Sequence, residues 1–518
     1  MASALRKIAI LWVLAASTGI GGAAERTTTL NGIVEGATNL HGIRSFLGVP
    51  FAAPPKGDLR WKPPQPAKTW SGVREAKSFA PAPLQNSAIE ALIGTPKDQS
   101  EDCLYLNVWT PAKQDSERLP VLVWIFGGAF VAGTTSMPVY DGSRLAEKGV
   151  VVVSIAYRLG PFGFLTHPEL SREGGGISGN YGLLDQIAGL RWVRDNIAAF
   201  GGDPGCVTLF GQSAGAISVS MLAASPQSKG LFHRAISQSG ATFGPPKFAD
   251  EAGLVVRPLA HSESEGEQYF AEIGAKDLTD ARTLPAKNLF KSEREWGPVF
   301  DGRILPGDQY ELYRAGQFPD LPLLVGSNSD EGRLFSRPGV TPEVLTSYIK
   351  NAFGEHAGEI LAVYPHATPA EAFKASKDIF RDGTLAWHTW AWAKLQSESG
   401  EQKAFVYYFD HRRQESPEGA NHGAEIAYVF RNLGRLKPPA QSEDSALSEL
   451  MSTYWVNFAK TGNPNGENLP HWPAFKSTDQ QVLCLKANPG ASSMPNRRQL
   501  EAFDAYYAWR RAQVKNKQ

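Results

Sequence analysis

The stretch "TLFGQSAGAIS", Thr208–Ser218, decides how this chain is read. A β-prone run ends at Gly211, a serine follows two positions later, and Gly215 comes two positions after that, inside the small-residue run "AGAISVSMLAAS" from Ala214. A strand that turns at once into a helix forces the turning residue into strained backbone geometry, and side chains two positions before and after it would collide with neighbouring backbone. Glycine at 211 and 215 removes those side chains. Ser213 would then stand at the C-terminal edge of a sheet and at the N-terminus of a helix beginning near Ala214, where free N–H groups favour a developing negative charge.

The surrounding pattern supplies the strand and helix that this corner needs. "PVLVWIF" from Pro120 and "GVVVVSIAYRLG" from Gly149 are continuous apolar runs. "NYGLLDQIAGLRWVRDNIAAF" has helical spacing at Leu183, Ile187, Leu190, Val193 and Ile197. "CVTLF" reads as the next strand and residues 214–225 as the next helix, with further strands at "HRAISQSG", "LPLLVGSN" and "AFVYYFDH". Unbroken apolar strands alternating with amphipathic helices indicate a mostly parallel sheet buried on both faces, an α/β architecture. Residues 248–291 and 342–399 read as helices and loops inserted over the working edge. "RRQLEAFDAYYAWRRAQ" places Leu500, Phe503 and Tyr507 on one face of a closing helix, with Arg510 and Arg511 suited to its C-terminus. No repeat or long Pro/Ser linker divides the chain, so residues 25–518 are expected to form one domain with cap-like insertions.

Composition excludes several classes of function. The chain has 518 residues with 42% hydrophobic content, and 52 Lys+Arg balance 52 Asp+Glu, which leaves no basic footprint for nucleic acid. Arg6 and Lys7 precede the apolar run "IAILWVLAAS", and Gly22 and Ala24 supply small residues for a cut after Ala24. This is the pattern of a secretory signal over residues 1–24 and implies an exported protein, with a retained anchor as the alternative. After signal removal no stable membrane insertion is expected. Cys103, Cys206 and Cys484 can form at most one disulfide and show no metal-ligand spacing.

A serine hydroxyl needs a base, an acid to orient that base, and donors for the oxyanion. The glycine pair in "WIFGGAFVAG", directly after an apolar strand, would let backbone N–H groups approach a reacting carbonyl, although a plain tight turn also accounts for it. Asp330 and Glu331 in "SNSDEGRLF" both follow a strand end. Of the downstream histidines 356, 366, 388, 411, 422 and 471, His422 stands out in the small-residue loop "EGANHGAEIAYVF" after a strand.

These motifs, with "FLGVPFAAPPKGDLRWKPPQP", "SEDCLYLNVWTP", "FGGDPGCVTLFGQSAGA" and "FAKTGNPN", resemble the type-B carboxylesterases, α/β hydrolases that include para-nitrobenzyl esterases and cholinesterases. The resemblance runs from about Gly32 to Trp509. It implies Ser213 as nucleophile, Glu331 rather than Asp330 as acid, His422 as base, an oxyanion hole from the N–H groups of Gly128, Ala129 and Ala214, and Ser239 as a support for the triad. No metal or organic cofactor is implied, and the partner is a small-molecule ester. Phe130, Trp296 and Phe335 are expected to wall an apolar substrate pocket.

The departures from the family pattern are specific. Pro83 stands where relatives usually carry the cysteine that pairs with Cys103, Gln212 where Glu is more common, and Ala129 where a third glycine is frequent. The segment "ALIGTPKDQSED" has no tryptophan to stack a choline group, which argues against cholinesterase activity. The implied activity is hydrolysis of uncharged or apolar carboxylic esters through an acyl-enzyme. Cleavage of an amide, thioester or lactone, or a binding role without catalysis, are the alternatives.

Overall fold

The computed structural model describes residues 24–86, 94, 96, 98–246, 256–291, 294–336 and 338–517. Of the expected signal over residues 1–24, residues 1–23 lie outside them, as do parts of segments 91–102 and 248–291.

Thirteen strands of the described residues form one sheet. In chain order they are β1 (Ala24–Thr29), β2 (Gly32–Thr38), β3 (Arg44–Pro50), β4 (Val73–Glu75), β5 (Tyr105–Thr110), β6 (Leu119–Ile125), β7 (Val151–Ile155), β8 (Gly202–Gln212), β9 (Arg234–Gln238), β10 (Leu323–Asn328), β11 (Ala404–Phe409), β12 (Gln481–Leu485) and β13 (Gly490–Ser493). Across the sheet the order is β1-β2-β3-β5-β7-β6-β8-β9-β10-β11-β12-β13, with β4 beside β2. The strands from β7 through β12 run parallel. The β1, β2, β3 and β5 edge is antiparallel, as is the β12–β13 pair.

The central strands read as unbroken apolar runs because both faces are covered. Every residue of β7, β10 and β11 is buried. Helix α1 (Tyr181–Asn196) covers part of one face, and the five positions that set its expected apolar stripe, Leu183, Ile187, Leu190, Val193 and Ile197, are all 0–1% exposed. Helix α2 (Ala214–Ala224) is buried on every side, which matches its all-apolar and small-residue composition.

The strand order places the site. From β6 the chain moves to β7 on one side, then returns to β8 on the other. The loops that leave β6 and β8 therefore diverge and open a crevice at the carboxyl ends of the strands, where ligands bind in sheets of this kind.

The inserted regions are helical, as the sequence suggests, apart from a two-residue ladder of Arg257–Pro258 with Val299–Phe300. They include α3 (Leu259–Ile273), α4 (Pro342–Phe353), α5 (Pro369–Phe380) and α6 (Trp387–Ser399). A long α7 (Ser442–Thr461) and the closing α8 (Arg497–Lys517) follow. Leu500 and Phe503 of α8 are buried and Tyr507 is half-buried. Arg511 departs from expectation, because α8 continues past it and its guanidinium is buried. It stacks 3.8 Å from the Tyr310 ring centre, pairs with Asp308 at 3.2 Å and donates to Phe243 O. It clamps the helix to the body rather than capping its end. All three cysteines are free.

Candidate active site

Ser213 follows β8 without an intervening residue and has φ 56° and ψ −125°, outside the regions open to L-residues at low cost. The two glycines are sterically required. A β-carbon on Gly215 would lie 2.0 Å from the carbonyl oxygen of Ile125, and one on Gly211 would lie 2.5 Å from the carbonyl carbon of Gly215. Ser213 N–H donates to Gln238 O at 2.9 Å, which ties the corner to β9. Ala214 is the first residue of α2, so its N–H has no partner within the helix.

The loop after β6 meets this corner directly, since a β-carbon on Gly127 would come 2.9 Å from Cβ of Ser213. Gly128, Ala129 and Phe130 all have positive φ, at 118°, 54° and 64°. This turn closes on itself through Val131 N–H and Ala132 N–H, both donating to Gly128 O at 3.0 Å. The N–H groups of Gly128 and Ala129 have no acceptor among the described residues. They can therefore serve an oxyanion without first breaking a bond. Two buried side chains hold the loop, and neither was singled out from sequence. Tyr157 Oη donates to Phe126 O at 2.8 Å, and the Gln85 amide exchanges two 2.9 Å bonds with the Gly133 backbone. Gln85 lies in the same "APAPLQN" segment in which Pro83 stands in place of a cysteine.

The acid and base come from loops after β10 and β11. His422 Nδ1–H donates to Glu331 Oε2 at 2.5 Å. Glu331 is fully buried and its other oxygen accepts from Asn328 N–H at 2.7 Å. The two loops are strapped together by Asp330 N–H to Ala420 O at 2.9 Å, Ala420 N–H to Ser329 Oγ at 2.8 Å and Asn328 Nδ2–H to Asn421 O at 2.8 Å. Asp330, the other candidate acid, instead pairs with Lys377 of α5 at 3.2 Å, and Lys377 also binds Glu418. This separates the two neighbouring acids. Gly332 seats α5 here, since a β-carbon there would lie 2.3 Å from Lys377 O.

A second carboxylate, Glu425, is buried one turn beyond His422. It accepts from Gln238 Nε2 at 3.1 Å and Asn328 Nδ2 at 2.6 Å. Burial, and then the nearby Glu331, push its pKa above the ordinary glutamate value against the pull of those amides. Burial opposes charge on His422, but Glu331 at Nδ1, assisted by Glu425, outweighs it and holds the ring's pKa above the usual histidine value. Glu425 lies three residues after His422 in "EGANHGAEIAYVF", and nothing in the sequence of that loop sets it apart.

The remaining expected site residues are placed as follows. Ser239 is buried at the end of β9 with φ 56°, and its Oγ makes no hydrogen bond among the described residues. Phe130 is 3% exposed, with its ring edge-on to Phe164, and its carbonyl accepts from Gly160 N–H at 2.8 Å. Trp296 lies edge-on to Tyr269. Of the three, Phe335 has a ring contact with His422, its ring 5.5 Å from the His422 ring and stacked on Phe380. It is 44% exposed.

A sheet of this topology with a strained serine at its switch point and a His–Glu pair beyond the ends of β10 and β11 defines an α/β hydrolase. Residues 23–503 match the carboxylesterase family, and the chain belongs to that family and is a carboxylic ester hydrolase. It is 39% identical over 474 residues to the fumonisin B1 esterase of Sphingopyxis macrogoltabida, covering 86% of this chain and 84% of that one. It is 37% identical to the para-nitrobenzyl esterase of Bacillus subtilis strain 168, covering 88% and 94%, and 36% identical to a cocaine esterase of Oryctolagus cuniculus, covering 89% and 91%. Solved structures of a PNB esterase and a thermophilic PNB esterase superpose with TM-scores of 0.79 and 0.81 at 34% and 33% identity, each over 92% of this chain and 99% of the other.

Proposed function

We propose that the chain hydrolyses uncharged or apolar carboxylic esters by a Ser213–His422–Glu331 triad through an acyl-enzyme. The observation that carries this reading is the strained Ser213 corner beside a His422 ring whose tautomer is set by buried Glu331. With Nδ1–H committed to Glu331, Nε2 is the basic nitrogen.

In the proposed reaction Ser213 Oγ attacks the ester carbonyl carbon while its proton passes to His422 Nε2. The carbonyl oxygen becomes an oxyanion, received by the N–H groups of Gly128, Ala129 and Ala214, each contributing about 3 kcal/mol to the transition state. The C–O bond to the alcohol breaks, and that oxygen takes the proton from Nε2. Water then repeats the sequence on the acyl-enzyme and restores Ser213. Glu331 keeps its charge throughout and stabilises the imidazolium.

The apolar preference is supported by the exposed Phe335 ring beside the base and by the absence of any cationic side chain bonded to the triad among the described residues. The arrangement of Arg6, Lys7 and the apolar run after them supports export with removal of residues 1–24. No helix of the described residues is long and apolar enough to cross a membrane.

The test is hydrolysis of para-nitrophenyl acetate and octanoate by the protein and by Ser213→Ala. Activity lost in the variant upholds the reading. Activity retained in a folded variant, or none in the parent protein, overturns it.

A further inference from the structure

Gln212 lies between Gly211 and the nucleophile, with its side chain 5% exposed. Its amide nitrogen is 3.1 Å from Nε2 of His422. Because Nδ1–H is given to Glu331, Nε2 of the neutral ring is an acceptor with a single in-plane lone pair. The Gln212 N–H donates into that lone pair, the same one that takes the Ser213 proton in the proposed reaction. Among the described residues no hydrogen bond joins Ser213 Oγ to the ring.

The amide lies between the two loops. A β-carbon on Gly127 would lie 3.2 Å from Gln212 Oε1, and one on Gly423 would lie 3.6 Å from Gln212 Nε2. Gln212 therefore spans the crevice from the oxyanion loop to the histidine loop.

We propose that Gln212 is a positioning residue that caps His422 Nε2 in the free enzyme, so that Ser213 reaches the base only when bound substrate displaces the amide. This rests on the assignment of Ser213 and His422 above. The amide gains and loses no proton, since it exchanges one hydrogen bond for another while the Ser213 proton moves to Nε2.

The consequence can be read in solution. An N–H donor on Nε2 stabilises the neutral ring against the imidazolium, so removing it makes the ring easier to protonate. The carboxylates that face His422 are Glu331 on the turn after β10 and Glu425 on its own loop. Asp330 is paired with Lys377 of α5, which also binds Glu418, and Phe335 presents only an apolar edge. None of these is altered by a change at position 212.

The experiment is the pH dependence of kcat/KM on para-nitrophenyl acetate, whose acid limb reports groups of the free enzyme. It is run on the parent protein, Gln212→Met and Gln212→Glu. In Gln212→Met the acid limb moves up by about half to one pH unit, the equivalent of one neutral hydrogen bond. In Gln212→Glu, where a carboxylate replaces the donor, it moves up by about one unit or more. Limbs that stay in place in variants with parental melting temperatures overturn the proposal. If the methionine variant fails to fold, Gln212→Leu, which also lacks the donor and adds no charge, decides in its place. Ser213→Ala is assayed in parallel: activity there overturns the triad itself, whereas activity lost there with unmoved limbs at position 212 overturns only the capping.

Discussion

Residues 127–129 and 211–215 meet through backbone, whereas Glu331 and His422 meet through side chains that begin 91 residues apart. The first half of the site is made by omission: no β-carbon at 127, 211 or 215, strained φ at Ser213 and Ala129, and N–H groups left without acceptors. The second half is made by addition, with Asn328, Gln238, Glu425, Lys377 and the strap from Ser329 to Ala420 each supplying a contact. Backbone chemistry leaves its mark in a few adjacent letters. A side-chain network does not, because its members are scattered and each is an ordinary residue alone.

The contrast predicts that the two halves fail differently. His422→Ala removes the proposed base and leaves the backbone half intact, so kcat falls on the order of 10⁴-fold with little change in melting temperature. Steady-state hydrolysis beside thermal denaturation checks this. A melting temperature that falls with the rate would erase the distinction.

Gly215→Ala reaches the opposite half. The added methyl meets backbone of Ile125, which cannot rotate away, so stability falls by about 3 kcal/mol and activity with it, seen as a lower denaturation midpoint. Tyr157→Phe is a milder form of the same attack. It leaves the buried Phe126 carbonyl without its donor and costs about 1 to 2 kcal/mol in the same measurement.

The side-chain half is sharpened by pH. As the proposed base, His422 must be neutral to take a proton, and its pKa is raised, so kcat/KM is expected to decline as pH falls through a value above the ordinary 6.5 of a free histidine. Glu425→Gln removes one of the two carboxylates that raise it, and the acid limb moves down by about half a unit. An upward shift would mean that Glu425 does not act on the ring as a charge.

The same contrast explains what the sequence made legible. The apolar runs at β6, β7, β8, β10 and β11 announce a doubly covered sheet, and the spacing of Gly211, Ser213 and Gly215 announces the corner. The run from Gly149 reads as one long strand, but β7 stops at Ile155. Arg158 is drawn onto buried Asp185 there, and Gly160 turns at φ 51°. Strands β2 and β3 were not read, because on an antiparallel edge only part of each is buried and the apolar signal is diluted. Asp330 and Glu331 could not be separated from residues alone, since what separates them is Lys377, 47 positions away on α5. Gln85 and Glu425 are ordinary residues in sequence, and their roles depend on partners that only the fold brings near.

In the proposed reaction one half of the site supplies a half-buried nucleophile and the other supplies the base that activates it. Labelling the protein with an alkyl fluorophosphonate and mapping the adduct by peptide mass spectrometry tests this most directly. A single adduct on Ser213 is expected, forming far more slowly in folded His422→Ala. An adduct on another residue, or labelling of His422→Ala at the parental rate, would contradict it.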